Sequence, residues 1–150
     1  MKSCTFFGHR YVSDKIEDVL KLLLIQLIEE NNVDIFYVGS QGDFDRMVIA
    51  TLKSLIKQYP HIRYYIVLAY FPCEKDCSVD YPENSLFPDG LEAVPPRYAI
   101  VKRNRWMIDE SDYVVVYVNN SIGNASKFKV LSEKKGKNVI NIAELKDKYN

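Results

Sequence analysis

The chain has 150 residues, 47% hydrophobic and 27% charged, with 20 basic and 20 acidic side chains and a formal net charge of zero. That length suits one globular domain with a substantial core, and the neutral balance argues against bulk attraction to nucleic acid or to a membrane surface. The longest apolar runs are strand-sized or broken by charge, and Met1-Lys2-Ser3-Cys4 leads into an apolar strand and not a signal-peptide core, so the expected compartment is the cytoplasm.

Ser3 to Phe7 reads as a first strand that stops at Gly8 and delivers Gly8, His9 and Arg10 into a loop. Ser13 or Asp14 is placed to cap a helix through Ile16, Val19, Leu20, Leu23, Leu24, Leu27 and Ile28, ending near Asn31-Asn32. Ile35 to Val38 is a second short strand, closed by Gly39-Ser40-Gln41-Gly42. Asp43 or Asp45 can cap the next helix, which carries Met47, Val48, Ala50, Leu52, Leu55 and Ile56 and stops before Pro60. Tyr64 to Tyr70 reads as a third buried strand.

Phe71 to Pro96 breaks this rhythm with all but one of the six prolines, and its aromatic content suits a lid-like loop over a site. Tyr98 to Ile108 reads as a helix and Tyr113 to Val118 as the fourth strand. Ile122-Gly123-Asn124 follows, then a helix from Ser126 to Lys135 closed by Gly136, and a fifth strand at Val139 to Ile142. Alternating units of this kind predict an α/β fold of Rossmann-like, three-layer form. It has a mainly parallel five-stranded sheet in the order 3-2-1-4-5, with helices on both faces and one domain spanning residues 1–150.

Three glycine turns, at Gly8, Gly39 to Gly42 and Gly123, each follow a predicted strand. Backbone N–H groups at a helix start attract anions, and glycine lets a ligand come close to that backbone. With the order 3-2-1-4-5 the strand order reverses between the first and fourth strands, so the turns converge on one crevice. The expected ligand is a nucleotide or nucleotide derivative. The cysteines Cys4, Cys73 and Cys77 are odd in number, and no second Cys or His pair accompanies Cys73 and Cys77, so reduced thiols and no metal site are expected.

Gly8-His9-Arg10, Val38-Gly39-Ser40-Gln41-Gly42-Asp43-Phe44-Asp45, Arg103-Asn104-Arg105-Trp106-Met107-Ile108 with Ser111-Asp112, and Gly123-Asn124-Ala125 occur in the order seen in the SLOG superfamily. The chain resembles its short YpsA-like members from Gram-positive bacteria and their phages. The resemblance implies a Rossmann-like fold related to DprA and to the "Lonely guy" phosphoribohydrolases, which are dimers. The phosphoribohydrolases carry a Gly-Gly-x-Gly-Thr turn followed by glutamate. Here the stretch reads Gly123-Asn124-Ala125-Ser126-Lys127, with no acid at that place.

The ligand-binding candidates are therefore Gly8, His9, Arg10, Gly39, Ser40, Gln41, Gly42, Asp45, Arg103, Asn104, Gly123 and Asn124. Arg10 offers a planar cationic fork to phosphate, or forms a surface ion pair. His9 touches ligand or orders its loop through the backbone, and Asp45 caps its helix or accepts ribose hydroxyls. His9 and Asp45 are also the acid–base candidates if the protein is an enzyme. Arg103 and Arg105 point to different helix faces, Trp106 either stacks on a base or joins Met107 in the core ahead of an apolar strand, and Tyr70, Tyr81 and Tyr98 can stack on a base. Three functions stay open: a nucleotide sensor or sequestering protein, a nucleotide-cleaving hydrolase of phosphoribohydrolase type, or a structural or partner-binding domain. No cofactor beyond that ligand is required. The apolar face from Leu20 to Ile28 serves either sheet packing or a homodimer.

Overall fold

Segments such as Tyr113–Tyr117, Tyr-Val-Val-Val-Tyr, are apolar on both sides of the pleat and need cover on both. A computed structural model, which describes residues 2–9, 14–40, 42–70, 84–119 and 123–146, shows helical layers doing this. The strands are β1 (Lys2–Gly8), β2 (Val33–Val38), β3 (Arg63–Val67), β4 (Ser85–Leu86), β5 (Tyr113–Tyr117) and β6 (Asn138–Asn141). They pair in parallel in the order β4-β3-β2-β1-β5-β6. The helices are α1 (Glu17–Glu30), α2 (Gly42–Gln58), α3 (Pro96–Glu110), α4 (Asn124–Lys134) and α5 (Ile142–Lys146).

The five-stranded expectation is corrected to six. Ser85–Leu86 adds an edge strand against Ile66 and Val67, and two residues carry no periodicity from which to read it. Part of the expected loop 71–96 is therefore built structure: β4, a short 3₁₀ turn at Leu91–Ala93 and the first turn of α3, started by Pro95 and Pro96. Residues 71–83, including Cys73, Cys77 and Tyr81, lie outside the described residues. The third strand ends at Val67 and not Tyr70, and Ile142 opens α5 instead of closing β6.

Three expected helix caps are also corrected. Asp14 opens a 3₁₀ turn, Asp14–Ile16, so α1 begins at Glu17 with Ile16 at its cap and no side-chain cap bond; Ser13 lies outside the described residues. Asp43 and Asp45 fall inside the first turn of α2, where Asp43 pairs with Arg46. At the far end of α4 the expectation holds. Gly136 has φ of 75°, and the N–H groups of Gly136 and Lys137 donate to the carbonyls of Glu133 and Ser132, closing a Schellman motif.

The pleat of β1 divides the core. Cys4 and Phe6 enter the layer shared with α1, α2 and α5, where Phe6 stacks on Phe36 at 6.1 Å between centroids. Phe7 enters the layer of α3 and α4 and stacks on Phe128 at 5.3 Å. The apolar face of α1 from Val19 to Ile28 is spent on this sheet packing. Burial pushes the Cys4 thiol far up, leaving it protonated and inert.

Gly8 ends β1 where the Phe44 ring lies directly over its Cα, and a Cβ there would overlap that ring. Phe44 is itself 1% exposed and has nowhere to retreat. Gly8→Ala should therefore cost about 1–3 kcal/mol by overpacking, read as a lower urea midpoint, and adding Phe44→Leu should recover part of the loss. An unchanged midpoint would show that Phe44 does not need the bare backbone.

Candidate ligand-binding site

The reversal of strand order between β1 and β5 leaves a gap at the C-terminal edge of the sheet, since α1 and α2 cover one face and α3 and α4 the other. A cleft of about 400 Å³ opens there. Gly8, His9, Gly39, Gly42, Asp45, Arg103, Asn104, Gly123 and Asn124 all line it. Ser40 is exposed and is not among the lining residues, while Arg10 and Gln41 lie outside the described residues.

Two helices start at the cleft. Gly42, with φ of 87°, opens α2; Gly123, with φ of 103°, sits at the cap of α4 and makes no side-chain cap bond. Both angles belong to the left-handed side, where glycine carries no Cβ penalty. The first N–H groups of α4 are thus left for solvent or a ligand.

The polar wall is assembled around Gly39. A Cβ at Gly39 would stand 2.9 Å from Asp45 Oδ2 and 3.4 Å from both terminal nitrogens of Arg103, so glycine is needed for the two charged groups to face each other across the chain. Arg103 is 3% exposed and Asp45 8%. Arg103 donates from Nε to Asn104 Oδ1 at 2.9 Å and from a terminal nitrogen to the Val67 carbonyl at 3.3 Å. Burial pulls the guanidinium below its ordinary pKa, and Asp45 and then Tyr70 pull it back. Asn104 spends its Oδ1 on Arg103, so its NH₂ group is what it can offer to the cleft. Arg105, two residues on, is exposed, as the helical spacing requires.

His9 ties the two central loops together. Its N–H donates to the Tyr117 carbonyl at 3.3 Å, and Nε2 accepts the Asn119 N–H at 3.2 Å. With Nε2 taken by the Asn119 N–H, Nδ1 is the one ring nitrogen left for a further partner. The ring stands edge-on to Tyr117 at 6.0 Å.

The sequence reading missed the apolar floor, made by Phe7, Ile100, Met107 and Phe128. Met107 is core as expected, and its place beneath the cleft follows from the i, i+4 spacing to Arg103, a signal the sequence held. Trp106 packs edge-on against Tyr37 at 5.3 Å and does not line the cleft. Tyr70 and Tyr98 are half exposed, 50% and 49%, near the start of α3, where the Tyr70 hydroxyl donates to the Pro96 carbonyl at 3.5 Å. Among the described residues no cluster of three or more His, Cys, Asp or Glu is placed to hold a metal ion, and no helix is long and apolar enough to cross a membrane.

No family profile and no curated protein matches the sequence. Among solved structures, DNA processing protein A (DprA) from Streptococcus pneumoniae is similar, with a TM-score of 0.61 at 13% sequence identity. The match covers 94% of this chain and 50% of that one, so this chain spans about half the length of its structural neighbour. The likeness shows a Rossmann-like fold.

Arg103→Ala would strand the Val67 carbonyl and Asn104 Oδ1 and leave Asp45 facing a void. The expected cost is about 1–3 kcal/mol in urea unfolding, and Arg103→Lys should restore little, because an ammonium cannot reproduce the fork. Wild-type stability in the alanine variant would show that the guanidinium has no structural part.

Proposed function

We propose that this chain is a SLOG-superfamily protein of the short YpsA-like kind that binds a nucleotide or nucleotide derivative at the sheet's switch point, as a cytoplasmic sensor or sequestering protein. The observation that carries the reading is the opening of two helix starts, at Gly42 and at Gly123-Asn124, into the same cleft as Asp45, Arg103 and Asn104. N–H groups at the α4 start suit a phosphate, the Asp45 carboxylate suits ribose hydroxyls, and Ile100, Met107 and Phe128 offer an apolar surface to a base. Gly8, His9 and Gly39 form the remaining backbone wall, with Arg10, Ser40 and Gln41 as adjoining loop candidates.

Binding is favoured over turnover because Ala125-Ser126-Lys127 supplies no carboxylate after the α4 turn and the Nε2 of His9 is taken up by the Asn119 N–H. A second reading rests on Asp45, the one carboxylate lining the cleft among the described residues. Hydrolysis of a bound nucleotide that is lost in Asp45→Asn while binding persists would make the protein a nucleotide hydrolase.

A thermal-shift screen against nucleoside mono-, di- and triphosphates, cyclic nucleotides, NAD and ADP-ribose tests the proposal. A ligand at about 100 times its Kd adds roughly 2.7 kcal/mol, a rise of several degrees for a chain of this size. Asn124→Asp should abolish the rise while leaving the fold intact, because an acid in the first turn favours the helix but repels phosphate. No rise with any of these compounds would leave the glycine turns architectural and favour a structural or partner-binding domain.

A further inference from the structure

The zero net charge hides a segregation. Residues 96–137 hold nine basic and four acidic side chains, a surplus of five that the rest of the chain balances. Of the four acids, Asp109 pairs with Lys135 and Glu133 with Lys129, Asp112 accepts the Ser3 N–H, and Glu110 is exposed at the C-terminal end of α3. Among the described residues, the exposed Arg97, Lys102 and Arg105 of α3 and Lys127 and Lys134 of α4 are in no ion pair.

The spacing makes a surface of them. Arg97, Val101 and Arg105 stand at i, i+4 and i+8 on α3, and Lys127, Val130 and Lys134 at i, i+3 and i+7 on α4. The two helices cover the same face of the sheet and are joined by the Lys135–Asp109 pair. The same surface gathers exposed apolar side chains. Of the five large hydrophobic residues exposed among those described, Tyr98, Val101 and Val130 lie on it and Tyr70 stands at its edge. Arg97 lies over one face of the Tyr98 ring, 4.8 Å from the centroid, and the ring remains about half exposed.

We infer that the outer face of α3 and α4 is a binding surface for a single-stranded polynucleotide, separate from the cleft. Cations spread along two helical ridges over roughly 10–15 Å each suit a chain of phosphates better than one small anion. Half-exposed tyrosines offer π-faces to unpaired bases, which a duplex does not present. An anionic membrane is less well matched, because the exposed aliphatic residues are two valines and both helices are held against the sheet.

Fluorescence anisotropy of a labelled oligothymidylate with the full chain tests this. Affinity should fall roughly 20- to 100-fold between about 50 and 200 mM salt, as neutralisation of about three to five phosphates requires. Combined Lys102→Glu, Arg105→Glu and Lys134→Glu changes, all at exposed positions, should abolish binding while the unfolding midpoint stays put. Tyr98→Ala should weaken single-strand binding roughly 10-fold and leave any duplex binding unchanged. The inference is overturned by no binding at low salt, by undiminished binding in the charge-reversed protein, by equal affinity for duplex, or by capture on phosphatidylserine vesicles in place of the oligonucleotide. A nucleotide-induced thermal shift is expected to survive the charge reversals, so failure of this inference leaves the reading of the cleft standing.

Discussion

Parallel pairing of β1 with β2 on one side and β5 on the other is the constraint from which the cleft follows. A strand in that position is buried on both faces, so its alternate residues Phe6 and Phe7 belong to different cores, each built with its own helices. The chain leaves β1 toward one layer and later leaves β5 toward the other, which opens a gap where the strands end. Phe44, lying over Gly8, then presses the start of α2 against the end of β1 and sets how close its first turn stands to the gap.

Charge is held at that gap by covering it and balancing it at once. A guanidinium 3% exposed is costly unless its N–H groups are used, and Arg103 uses them on Val67 and Asn104 while facing Asp45 across a residue that has no side chain. The glycines thus divide by physical task. Gly8 and Gly39 make room for protein side chains, whereas Gly42 and Gly123 supply backbone angles that turn two helix starts toward the cleft. A ligand meeting this wall finds donors at the helix starts and a carboxylate beside a fixed cation, the combination that suits a phosphorylated sugar.

Much of this was legible in the chain because parallel strands and amphipathic helices have strong periods. The runs at Ser3 to Phe7 and Tyr113 to Val118 and the spacing of Leu20 to Ile28 lead directly to the central strands and to α1. Ser85–Leu86 was not legible, since a two-residue edge strand has no pattern of its own and exists through β3. The caps were misread for a related reason. An aspartate after a glycine turn suits a cap by local propensity, but tertiary contacts draw Asp45 inside the first turn of α2, where it faces Arg103 from a distant helix. The charge division between helical faces was also invisible in a sum of zero, because it depends on which helices share a side of the sheet.

If the cleft is a nucleotide site as proposed, the anion is held by the backbone at the start of α4, away from the acidic first turn of α2. The most direct measurement is a titration of the ¹⁵N-labelled protein with nucleotides, following backbone amide shifts. Saturable changes are expected, concentrated at Gly123, Asn124 and Ala125, with smaller ones at Gly39, Gly42 and His9. Changes confined to the outer faces of the helices, or none at any nucleotide concentration, would contradict the proposal.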